Sequence, residues 1–200
     1  TKARLEAEEK SKPTGMKHDR LFVRHWDTWA DGRTSQLFLF PLENGRIEGA
    51  PVSLSGTLQA DVPSKPFGDA SDYTFSPDGS RVMFSAKLKD GREAWSTNFD
   101  LYEVSIEGGE PRNLTSDNEA WDAQPVYSAD GSLLAWRAMT RPGFEADRFH
   151  VMILDLKTGE RRALTQAWDR SVDAIAFSKD GKTLYATADH FGQHPLWAID

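Results

Sequence analysis

Apolar residues in this chain do not recur every 3.6 positions; they fall in short runs of four to eight, often alternating with polar ones, bounded by Gly, Asp, Asn and Pro. That is the pattern of β-strands separated by turns. The stretch 122–165 divides most cleanly. AQPVYS (123–128) predicts a strand, Ala129-Asp130-Gly131 a hairpin turn, and LLAWRAM (133–139) a second strand. FHVMILDL (149–156) predicts a third, which turns at Lys157-Thr158-Gly159 into RRALT (161–165). The preceding stretch repeats the order with DYTFS, RVMFSA, DLYEVSI, a turn at Gly108-Gly109, and PRNLT ending at Thr115.

The pattern is an internal repeat. YTFSPDGSRVMFSA (73–86), VYSADGSLLAWRA (126–138) and AFSKDGKTLYATA (176–188) are three copies, with Phe75, Tyr127 and Phe177 spaced 52 and 50 apart. Thr115 and Thr165 are again 50 apart, so the period holds at both ends of the unit. Four antiparallel strands per unit make the blade of a β-propeller, an all-β fold that sets short sheets radially around a channel.

The flanks fit the same spacing. RLFVRHW (20–26), QLFLFPL (36–42) and APVSLS (50–55) read as the last three strands of one blade. DAIAFS (173–178), TLYATAD (183–189) and PLWAID (195–200) read as the first three of another. The expectation is a partial ring of about three and a half four-stranded blades, approximately 18–56, 71–115, 122–165 and 172–200, cut from a larger propeller. Residues 1–17, charged and carrying Pro13 and Gly15, read as a linker or short helix.

Composition narrows the functional classes. A formal charge of −7, from 31 acids and 24 bases, argues against a nucleic-acid partner, which selects a basic stripe. No run approaches the roughly 18 apolar residues of a membrane span. The absence of cysteine removes disulfides, thiol nucleophiles and thiolate metal sites, and suits bacterial periplasm and cytoplasm equally.

Candidate chemistry is sparse. Each SPDG, SADG or SKDG turn supplies one carboxylate between two strands, which suits a hairpin and not a calcium loop. His190 and His194 have helical metal spacing, but Gly192 and Pro195 break a helix there, so a connecting loop is expected and no metal or cofactor is assigned. Trp121-Asp122 and Trp168-Asp169 precede the innermost strands of successive blades and read as packing anchors between them. Neither a nucleophile elbow, nor a phosphate-binding glycine loop, nor His-Glu-x-x-His is present, so no catalytic residue is assigned.

What remains is loop chemistry. Residues 139–148 interrupt the second and third strands of their blade and hold Arg141, Phe144, Glu145, Asp147 and Arg148. The two acids suit a cationic amine; the competing reading is a surface loop closed by salt bridges to the two arginines. The matching loop at 88–100 is similarly long and includes Trp95, Asn98 and Phe99, so both loops are expected on one face.

The strand pair built on Ser-Pro-Asp-Gly, followed by a strand ending in Leu-Thr, resembles the propellers of the prolyl oligopeptidase family of serine peptidases and of TolB. DRLFVRHWDTWADGRTSQLFLFPL (19–42) and the Arg-Pro-Gly-Phe-Glu-Ala-Asp-Arg loop are similar to the bacterial dipeptidyl-peptidase and acylaminoacyl-peptidase branch. The resemblance implies a non-catalytic propeller that gates peptide access to a C-terminal α/β-hydrolase domain bearing the Ser-Asp-His triad. It also implies that Glu145, with Asp147 behind it, anchors the substrate's amino end. The alternative is a TolB-type propeller that binds protein partners without enzymatic activity.

Overall fold

The computed structural model describes residues 2–15, 17–19, 21 and 23–199; Thr1, Met16, Arg20, Phe22 and Asp200, which belong to segments discussed above, lie outside the described residues. The first segment forms a helix, α1 (Lys2–Glu9), with no buried side chain. It carries the i,i+4 pairs Lys2–Glu6 and Arg4–Glu8. Short strands follow: β1 (Arg24–His25), β2 (Thr28–Trp29), β3 (Phe38–Leu39), β4 (Leu42–Glu43), β5 (Arg46–Ile47) and β6 (Val52–Ser53).

Two four-stranded sheets come next. The first holds β7 (Tyr73–Phe75), β8 (Arg81–Ala86), β9 (Asp100–Ser105) and β10 (Arg112–Asn113). The second holds β11 (Asp122–Tyr127), β12 (Leu133–Ala138), β13 (His150–Asp155) and β14 (Arg161–Ala163). A three-stranded sheet of β15 (Ala174–Phe177), β16 (Leu184–Thr187) and β17 (Leu196–Ile199) follows. In each, consecutive strands are neighbours and antiparallel, which is the meander of a propeller blade.

The three repeat copies are three copies of one turn. Gly79, Gly131 and Gly181 sit at φ 71°, 71° and 69°, in the left-handed region that glycine enters without a Cβ penalty. Ser76, Ser128 and Ser178 each donate a hydroxyl to the turn aspartate at 2.6 Å. The same serine oxygens accept the N–H of Arg81, Leu133 and Thr183. The repeated carboxylates are therefore consumed by their own hairpins.

Leu-Thr closes each blade by an equally repetitive device. Leu114 N–H bonds Leu101 O while Leu101 N–H bonds Thr115 Oγ1, at 2.8 and 2.9 Å. Leu164, Val151 and Thr165 repeat this at 2.8 and 2.8 Å. Leu54, Leu37 and Ser55 do so again at 3.0 and 2.9 Å, with serine in the threonine's role.

Packing between sheets explains the near-continuous apolar second strands. Val82, Phe84 and Ala86 face a cluster with Leu54, Ala60 and Val62, whereas Met83 joins Leu134, Trp136 and Ala138. On β12, Ala135 turns the other way, toward Val172, Ile175 and Leu184. Side chains alternate faces along a strand, so a sheet buried on both sides is apolar throughout. Each such full burial stabilises by about 1.5–3 kcal/mol. A polar link repeats beside these clusters: Ser85 and Arg137, both fifth in their second strands, donate to Asp122 O and Val172 O, at or just before the first strand of the following sheet, at 2.7 and 3.1 Å.

The opening strands depart from the expected cut. The segments 36–42 and 50–55 do pair, through Phe38↔Ser53 and Leu39↔Val52, and β4 and β5 extend them as a hairpin. The strand expected over 20–26 is instead Arg24–His25, paired with Thr28–Trp29. Trp26 adopts φ 49°, which lets Trp26-Asp27 close a two-residue turn, and Ala30 N–H bonds Val23 O at 2.9 Å. The turn at Trp26-Asp27 reverses the chain, so the strand pairs with Thr28–Trp29 and not with 36–42.

Candidate functional site

Strand direction decides which loops share a face. The connections 87–99, 139–149 and 188–195 all join a second strand to a third, so they emerge at the same end of their sheets, opposite the Ser-x-Asp-Gly turns. The loop expected around His190 and His194 is thus the counterpart of the two long loops. Its tip is a tight turn with Phe191 and Gly192 at φ 48° and 77°, closed by reciprocal backbone bonds between His190 and Gln193.

The two long loops meet. Gly143 N–H donates to Thr97 Oγ1 at 2.9 Å, and a Cβ on Gly143 would lie 3.4 Å from Trp95 O. Lys87 supports the other loop from beneath, donating to Glu93 O at 2.9 Å and to Ser96 O. Its ammonium also lies over the Phe99 ring at 5.6 Å. Burial depresses the Lys87 pKa, and the charges of Glu145 and Glu93 act against that. Phe99 stacks on Trp121 at 4.5 Å, and Trp121 meets Phe149 edge-on, so Trp121 anchors neighbouring sheets as expected. Trp168 does the same against Trp197. Their aspartates differ: Asp122 is buried, whereas Asp169 is exposed beside Arg170.

Loop 139–148 separates its five candidate residues by role. Asp147 is buried and accepts from Thr140 N–H, Arg141 N–H and Arg141 Nε, at 2.8, 2.9 and 2.9 Å. Burial works to raise its pKa, yet the Thr140 amide and the Arg141 guanidinium and amide together bring it down to about 2. Asp147 is thus an internal staple and has no capacity left for a ligand. Arg141 is its partner and also lies 4.1 Å over the Phe144 ring. Arg148 donates to Thr165 O and Gln166 O, tying the loop to the end of its blade. Phe144 is exposed, and Glu145, also exposed, makes no hydrogen bond or salt bridge among the described residues.

Sequence spacing alone missed two features. One is the Thr97–Gly143 link, whose only trace is the Pro-Gly turn at 142–143. The other is the convergence of Asp173, Asp189 and His194, whose ligand atoms lie within 4.8 Å of one another. All three are exposed, and His194 Nδ1 is already 3.0 Å from Asp189 Oδ1, a hydrogen-bonding arrangement that needs no metal. A hollow of about 310 Å3 opens between Trp168 and Trp197, but no ionisable group lines it.

Fold and loop face together define a β-propeller whose exposed chemistry sits on the loops at one end. No family model matches the chain. In sequence it is 30% identical over 189 residues to dipeptidyl-peptidase 5 of Porphyromonas gingivalis, covering 94% of this chain. It is 31% identical over 197 residues to dipeptidyl-peptidase 5 of Trichophyton schoenleinii, covering 91% of it. Over nine-tenths of its length the chain is similar to these dipeptidyl-peptidases, as its resemblance to the dipeptidyl-peptidase branch of the prolyl oligopeptidase family implies. That branch extends here to fungal as well as bacterial relatives, and the chain spans 27% of the length of each. In structure it is similar to TolB of Agrobacterium tumefaciens, with a TM-score of 0.53 at 22% identity over 82% of this chain and 54% of that one, a likeness of fold.

Proposed function

We propose that this chain is the non-catalytic propeller portion of a serine peptidase that releases dipeptides or acylated residues from peptide amino termini. Its loop face gates access to a C-terminal α/β-hydrolase domain, and Glu145 receives the substrate's free amine. One observation carries the reading: of the two acids in loop 139–148, Asp147 is consumed internally while Glu145 is exposed and, although it feels the Lys87 charge, makes no hydrogen bond or salt bridge among the described residues. A carboxylate with no hydrogen bond of its own on a stapled loop is pre-placed for an ammonium group, and hydrogen bonds to charged groups contribute about 1.5–3 kcal/mol.

The test is Glu145→Gln in the full-length enzyme. The catalytic efficiency on free-amine dipeptidyl substrates is expected to fall about tenfold or more, the scale of one charge-assisted contact. Substrates with a blocked amine should be unaffected. Equal rates for variant and wild type on free-amine substrates would remove the anchor.

A further inference from the structure

Most aromatic side chains of the central blades are buried or half-buried; Phe84, Tyr102 and Trp136 are almost wholly so. Trp95 and Phe144 are the exceptions on the two central loops, at 62% and 44% exposure. A single exposed aromatic needs no explanation. These two stand on loops hydrogen-bonded to each other, and Phe144 immediately precedes Glu145.

The backbone that carries each aromatic is held in place. Gly143, at φ 73°, turns the chain before Phe144, and its N–H is fixed on Thr97 Oγ1. The Arg141 guanidinium covers one face of the Phe144 ring and is itself pinned by Asp147, which leaves the other face to solvent. Trp95 closes a turn through its N–H to Arg92 O at 3.1 Å, and Lys87 ties the carbonyls of Glu93 and Ser96 on either side of it. Rigid aromatic faces lose little entropy when a ligand packs on them.

We propose that Trp95 and Phe144 determine specificity by reading the first side chain of the substrate, selecting peptides whose free amino terminus is followed by an apolar side chain. This rests on the reading of Glu145 as the amine anchor. An amine on Glu145 places the adjoining side chain beside the Phe144 ring. Arg92, paired to Asp90, Lys87, which faces Glu93 and Glu145, and Arg141 on the Phe144 ring offset the acids of both loops, so the discrimination is one of apolar contact and an aspartate-first substrate gains none of it.

The experiment compares matched dipeptidyl substrates with leucine, glycine or aspartate first, on full-length wild type, Trp95→Ala, Phe144→Ala and Phe144→Leu. Both residues are exposed, so the substitutions leave the core intact. Each alanine variant is expected to lower kcat/KM for the leucine-first substrate about tenfold, the scale of a lost apolar contact, while the glycine-first value changes less than about twofold. Phe144→Leu should restore most of the preference. A uniform loss across all substrates, or an unchanged leucine-to-glycine ratio, would overturn the assignment. Glu145→Gln in the same panel separates the two readings, because loss of the anchor lowers every free-amine substrate alike and leaves that ratio in place.

Discussion

Asp122 is 1% exposed and receives its hydrogen bonds from neutral donors, Trp136 Nε1 at 2.6 Å and Asn118 Nδ2 at 3.0 Å. Burial raises its pKa to about 7, the donors pull the other way, and the neighbouring Asp100, itself raised by burial, adds repulsion. The unfolded chain releases this proton near pH 4, whereas the folded chain holds it to about pH 7. Its contribution to stability is therefore complete below about pH 4 and is lost as pH rises through about 7, a change on the order of 4 kcal/mol at most. Asp122→Asn removes that titration, at the cost of about one hydrogen bond, because its amide would face the Asn118 amide. Denaturant titrations at pH 4 and pH 8 should show the variant gaining on wild type as pH rises. An equal stability gap at both values would exclude Asp122 as the titrating group. Asp78 and Asp130 show the opposite case: exposed, bonded first by Ser76 and Ser128, and held at about 2.

At the scale of the element, the blade is closed by its terminal threonine. Val151 N–H has Thr165 Oγ1 as its acceptor inside a buried environment, and blade one substitutes Ser55 in the equivalent bond. Thr165→Val should cost about 1–3 kcal/mol by orphaning that N–H, while Thr165→Ser should cost much less. Thermal melts of the two variants decide this, and equal losses would assign the cost to packing instead. This closure was legible in the sequence because Leu-Thr recurs at a 50-residue period. The Ser-x-Asp-Gly turns were legible for the same reason, since their chemistry is local. The first blade was harder to read: the choice between pairing 20–26 with 36–42 and folding back at Trp26-Asp27 turns on a left-handed tryptophan that propensity does not favour. Loop 139–148 was legible as a place and only partly as chemistry. Its two acids look alike in sequence, and only the fold back of the Thr140 and Arg141 amides separates the stapled Asp147 from the open Glu145.

The whole molecule is held by three apolar clusters, each shared between neighbouring sheets and none confined to one. A blade therefore cannot lose its packing without uncovering its neighbour, and the central sheets, covered on both faces, should open last. Among the described residues Leu54 is the first buried side chain, so residues 23–49 form hairpins with almost no core beneath them. Only at Leu37 and Leu39 does this stretch lean on the first cluster among the described residues, and its two-residue strands open at little cost, because isolated hairpins are marginal in water. Hydrogen exchange followed by mass spectrometry should then rank the chain. Peptides from 23–49 should exchange first, those from β15–β17 later, and those from β8, β9, β12 and β13 last, at a rate approaching that of global unfolding. Met83→Ala, at the junction of the two central sheets, should lower protection in β12 and β13 as well as in its own strand, by the roughly 2–5 kcal/mol of a buried methionine truncation. Loss of protection confined to β7–β10 would show that the blades open independently, and the shared clusters would then not be what couples them.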